Sequence, residues 1–129
     1  MNNWLPGLVL GFGLWALSGC ADLGDEPGVP GGSDPTSFAT DVNPILQGNC
    51  TVCHGADGSS GGLDVSNWSG LMAGGQSGAV VVPGAADSSL LVERISSSDP
   101  SWRMPAGGAL TAEQIGRIQD WIDEGALDN

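Results

Sequence analysis

The sequence predicts an all-α fold, with roughly three to five short helices. Apolar residues recur at helical spacing in two well-separated stretches. Phe38, Val42, Ile45 and Leu46 make the first, and Ile115, Ile118 and Ile122 the second. Each stretch is preceded by residues that cap helices, Thr36 or Ser37 before one and Thr111 before the other. The one β-branched run, Ala79-Val80-Val81-Val82, has no evident partner run and reads as an extended segment rather than as part of a sheet. With 129 residues the chain has the length of one small domain.

The N-terminal stretch Trp4 to Leu17 is apolar. It is shorter than the about 20 residues of a membrane span and has the length of a signal-peptide core, although Met1-Asn2-Asn3 lacks the usual basic flank. The stretch ends in Leu17-Ser18-Gly19-Cys20, which resembles the lipobox of bacterial lipoproteins. That resemblance implies a signal peptide over residues 1–19, cleavage before Cys20, and a diacylglycerol on the Cys20 sulfur. The alternative is an ordinary signal peptide with an incidental cysteine. Residues 20–35 are rich in Pro, Gly and acid, with almost nothing to bury, and read as a disordered tether. As a coil such a tether spans about 20 Å, and on the order of 50 Å when stretched. The globular domain is expected over residues 36–129.

A helix capped by Thr36 or Ser37 is predicted to run through Leu46 towards Cys50, kinked or split at Pro44. At its far end stands Cys50-Thr51-Val52-Cys53-His54. C-x-x-C-H is the attachment signature of a c-type haem. Cysteines three apart share one side of a helical turn, so both sulfurs can add to the vinyl groups on one edge of a porphyrin. His54 follows at once, and a neutral imidazole nitrogen binds iron. A redox dithiol needs no histidine, and a closed zinc site needs about four ligands, whereas His54 is the only histidine in the chain. With Cys50 and Cys53 on haem, Cys20 is the odd thiol, which favours its lipidation.

Residues 55–62 form a Gly- and Ser-rich loop, and Leu63-Asp64-Val65 is short and extended. Ser66 is expected to cap a helix over Asn67 to Ala73 that stops at Gly74-Gly75. Asp87 or Ser88 caps a helix carrying Leu90, Leu91 and Ile95. A polar loop leads to Trp102-Arg103-Met104-Pro105. The last helix has a capping box, Thr111 with Gln114, and a hydrophobic staple, Leu110 with Ile115. Ile115, Ile118 and Ile122 form its buried stripe, flanked by Trp121, and Gly125 ends it.

Six-coordinate haem iron needs a second axial ligand. The chain has no tyrosine, no lysine and no other histidine, which leaves methionine. Met1 departs with the signal, and Met72 and Met104 compete. Met104 lies in a loop whose extended backbone can present a thioether, and Met72 lies beside Leu71 on a short helix where a core role is expected. The other role open to Met104 is that of a gap-filling core residue, with the iron five-coordinate.

From Asp41-Val42-Asn43-Pro44-Ile45-Leu46 through the Cys50–His54 motif, Gly62-Leu63-Asp64, Val82-Pro83-Gly84, Ser89-Leu90-Leu91, Met104-Pro105 and Leu110 to Ala126, the chain resembles a small class I c-type cytochrome, and more narrowly the planctomycete-type cytochromes c. The resemblance implies a cytochrome c-like fold around one covalently bound haem c, with the N- and C-terminal helices crossing beside it. It implies thioethers at Cys50 and Cys53, His54 as proximal iron ligand and Met104 as distal ligand. The family often has lysines near this loop; here Arg103 is the only base close by and is a candidate haem contact.

Three basic residues against fifteen acidic ones give a formal net charge of −12. That argues against nucleic acid and against electrostatic binding to anionic lipid, and it suits a redox partner with a basic docking surface. The ligand inventory holds no nucleophile–base pair, since the one histidine is spent on iron. The expectation is therefore an electron carrier rather than an enzyme, lipid-anchored on the periplasmic face of a bacterial membrane. The alternative is a haem-based sensor or a docking subunit of a larger redox complex.

Overall fold

The computed structural model describes residues 34–57 and 59–129. The expected signal peptide, Cys20 and all of the expected tether except Asp34 and Pro35 lie outside the described residues. The described residues are helical and contain no strand, in keeping with the expected all-α, cytochrome c-like class. None of their helices is long and apolar enough to cross a membrane.

Ser37 opens the first helical segment, where its side chain accepts from Thr40 N at 3.3 Å and its own N–H reaches Asp41 Oδ2 at 2.9 Å. The segment divides at Pro44. Phe38–Val42 is wound as a π-helical turn, with Asn43 N bonded to Phe38 O, and α1 follows over Asn43–Asn49 with Pro44 in its first turn. A proline without an N–H is tolerated there because the first-turn donors have no intrahelical acceptor anyway. Cys50 (φ −123°) breaks the α path, so the motif is not the tail of this helix but a separate turn, α2, over Thr51–His54.

α3 spans Trp68–Ala73. Its cap is Asn67 rather than Ser66: the Asn67 side chain accepts from Gly70 N at 2.8 Å, while Ser66 N is already held by Asp64 Oδ1 at 2.8 Å. α4 spans Leu90–Ser96. Asp87 and Ser88 do not cap it; they belong to a preceding 3-10 turn, Ala86–Ser88. Ser89 takes the cap position, but its buried hydroxyl donates to Ala85 O (3.0 Å) and accepts from Val82 N (2.9 Å), fixing the extended Val80–Val82 segment against the helix start. α5, Ala112–Asp123, has the expected capping box, and Gly125 (φ 107°) follows its end.

The core lies where the first and last helical segments meet. Phe38 and Trp121 pack with ring centroids 5.3 Å apart. Trp121 sits at the centre of the buried stripe rather than on its flank, fully enclosed with Ile118 and Ile122, while Ile115 in the first turn of α5 is only half-buried. Positions 118, 121 and 122 share one helical face, and the indole can be enclosed because its N–H finds Leu127 O at 2.8 Å. The start of the domain is tied to its end. Phe38 N and Ala39 N donate to Asn129 Oδ1 (2.9 Å) and Asn129 O (2.8 Å), which satisfies helix-start donors that have no partner within the helix.

Trp121→Ala is expected to remove about 3–5 kcal/mol, most of the stability of a domain this small, whereas Thr111→Ala costs about 1 kcal/mol through loss of the cap. Urea unfolding followed by circular dichroism checks both: the first variant should lose its cooperative transition and the second should keep it with an earlier midpoint.

Candidate functional site

The folded domain holds a half-open cavity of about 240 Å³. Its walls come from four parts of the chain. The helix junction supplies Cys50 and His54; the loop after it supplies Ser60, Gly61, Leu63 and Val65. The next loop supplies Gly75, Ser77 and Val80, and α4 with the following loop supplies Leu90, Leu91, Arg94, Ile95 and Met104.

His54 ends α2, and its Nδ1 lies 2.9 Å from Ser60 O. A carbonyl oxygen can only accept, so Nδ1 carries the proton and Nε2 keeps its lone pair. This is the arrangement by which metal-binding histidines are oriented. The Ser60–Gly62 turn that offers the carbonyl is itself braced: Gln76 N donates to Gly61 O at 2.8 Å from a tight loop closed by Gly75 N to Gly78 O at 3.1 Å. Two backbones approach closely here. A β-carbon on Gly75 would lie 2.7 Å from Gly61 O and 3.2 Å from the Leu63 side chain. Sequence reading saw residues 55–62 as a loop and Gly74-Gly75 as a helix stop, and missed that the second holds the first. The density of glycines on both sides was the available signal.

Met104 is half-buried in the wall of the cavity, and its N–H donates to Arg94 O at 2.9 Å, which pins the loop to α4. The loop before it is shaped by Asp99, whose carboxylate accepts from Ser101 N (2.8 Å) and Ser101 Oγ (2.7 Å). Those bonds hold the Asp99 carboxyl below the usual carboxylate range. Met72 is partly buried and packs against the hydrophobic core instead. Cys50 is half-buried, and burial, then the neighbouring Cys53, push its thiol up. Cys53 is exposed at the surface with Val52 and does not line the cavity. Arg103 also stands outside the walls; its Nε is buried without a hydrogen-bond partner. The basic residue in the wall is Arg94, which the sequence alone does not single out from the three basic residues.

The cavity thus has leucine, valine and isoleucine walls, one imidazole with a free Nε2, one thioether and one thiol. That donor set fits a flat apolar macrocycle carrying iron. Residues 50–107 match the family model described as planctomycete cytochrome C, a span that includes both Cys50–His54 and Met104. That match supports a planctomycete-type cytochrome c-like domain. A solved structure of Kuenenia stuttgartiensis hydrazine synthase is similar over 70% of this chain, with 26% identity and a TM-score of 0.50. The match spans only 16% of the hydrazine synthase chain. No curated protein matches. The cytochrome c family implies haem c as cofactor and a cytochrome c-type function.

In this cytochrome domain Gly75→Ala is expected to force the brace off the Ser60–Gly62 turn, at a cost of about 1–3 kcal/mol. Thermal unfolding of the haem-loaded protein should show the loss, and Gly48→Ala, where the added methyl meets nothing within 4 Å, should show none.

Proposed function

We propose that the protein is a monohaem c-type cytochrome that carries electrons between redox partners outside the cytoplasm. The observation that supports this best is that His54 and Met104 both line one apolar cavity, with the His54 Nε2 left free. Cys50 and Cys53 are the thioether positions, His54 the proximal iron ligand and Met104 the distal one. When bound, haem c supplies a one-electron iron couple. The chain excludes water with its aliphatic walls, holds the imidazole by Ser60 O, and holds the thioether loop by Arg94 O. Methionine as second ligand raises the potential and fills the position that oxygen or peroxide chemistry needs. This supports a carrier rather than an enzyme.

The localisation belongs to the same proposal. A lipid on Cys20 would hold the protein at the periplasmic face of a membrane, with residues 20–35 as the tether. A partner with a basic docking surface suits the net charge of −12. A second reading, a docking subunit of a larger redox complex, is favoured by the hydrazine synthase match, where the similar region is a small part of a much longer chain.

Protein matured with haem should stay coloured after acid–acetone extraction, and Cys53→Ala should weaken that retention. The ferric protein should show the weak red-end band of a thioether on iron, and its ferrous form should bind carbon monoxide slowly. Met104→Ala should abolish the band and speed carbon monoxide binding, and Met72→Ala should do neither. Rapid binding by the wild type with no such band would contradict the carrier reading and favour a sensor. For the anchor, mass spectrometry should find a lipidated N-terminal peptide beginning at Cys20, and Cys20→Ala should move the protein out of the membrane fraction. An unmodified thiol in a soluble protein would contradict it.

A further inference from the structure

We infer that Arg94 is the residue that binds a carboxylate of the haem, the propionate group by which this cofactor brings negative charge into the site. The inference rests on the haem reading above. The chain has three basic residues and a net charge of −12, so counter-charge for an acidic cofactor is scarce. Arg94 is the one arginine in the cavity wall; Arg117 is exposed on α5, and Arg103 stands outside the walls.

The guanidinium is also held ready. Its Cζ lies 3.5 Å from the centroid of the Trp102 ring, and its Nη1 donates to Trp102 O at 3.0 Å. The indole is fixed in turn, its Nε1 donating to Glu93 Oε1 at 3.1 Å. Stacking leaves the edge of the fork open, and the remaining N–H groups can meet a carboxylate with two parallel bonds. A fork fixed beforehand loses little freedom on binding. The same residue holds Met104 N by its carbonyl at 2.9 Å, so acid recognition and placement of the thioether meet at one position of α4.

Few other groups bear on a propionate here. His54 and Cys50 also line the cavity, and on the haem reading they are taken up by iron and thioether. Asp99 and Arg103 are on the following loop, Glu93 accepts from the Trp102 indole, and none of the three lines the cavity. With Arg94 present, the acid stays ionised through the neutral range. Without it, the acid is desolvated and unpaired, so its proton affinity rises.

The test is the midpoint potential of the matured protein against pH. Arg94→Met removes a positive charge and so favours the ferric form; the reduction equilibrium should fall about tenfold, which is 59 mV for one electron. The potential should also become pH-dependent in the weakly acidic range, where the wild type is flat. Arg94→Lys keeps the charge and should restore most of the shift. Arg117→Met, at an exposed position of α5, should keep the wild-type profile. If Arg94→Met has the wild-type potential and profile, or if Lys behaves as Met does, the inference is overturned. It is overturned as well if Arg103→Met gives the shift instead. Wild-type protein matured without any haem would overturn the proposed function itself, an outcome visible before any variant is compared.

Discussion

The hydrogen bond between His54 Nδ1 and Ser60 O is the contact on which the rest of the site depends. It decides which ring nitrogen holds a proton, and so which one can bind iron. It also sets the orientation of the imidazole, because a turn fixed at both ends presents the acceptor. Around it the fold is arranged in support. Val65 N holds His54 O at 2.8 Å, and Gln76 N holds Gly61 O at the same distance. The glycine at position 75 lets the two loops touch. A site built on loops gains its rigidity from such backbone bonds rather than from long helices.

The opposite wall is supported differently. α4 gives Leu91, Val92 and Ile95 to the core; Leu91 and Ile95 also line the cavity beside Arg94, whose carbonyl holds Met104. The long α5 lies away from the cavity and contributes no wall residue. Its part is to close the core through Trp121 and to hold the neighbouring segments, as Ile122 O does for Gly84 N at 2.7 Å and Asp123 Oδ1 for Ala86 N at 2.8 Å.

Much of this was legible in the sequence where local rules apply. Cys50-Thr51-Val52-Cys53-His54 is a fixed covalent geometry, and the Thr111–Gln114 box is read by neighbours three apart. What was not legible depends on partners distant in sequence. Asn67 caps α3 through Gly70 N, while Ser66 N is turned back onto the Asp64 carboxylate. Trp121 moves to the centre of the core because Leu127 O satisfies its indole. Arg94, not Arg103, lines the cavity, and the chain after α4 folds Trp102 over its guanidinium, a contact no periodicity encodes.

The central claim is that one iron is held between His54 and Met104, and the proton NMR spectrum of the ferrous protein with methyl-labelled methionine tests it most directly. A thioether seated on the iron lies within the ring current of the macrocycle. The account predicts one methionine methyl shifted far upfield of all other protein signals, still present in Met72→Leu and lost in Met104→Leu. Methionine methyls that all resonate at ordinary positions in a protein shown to carry haem would contradict it.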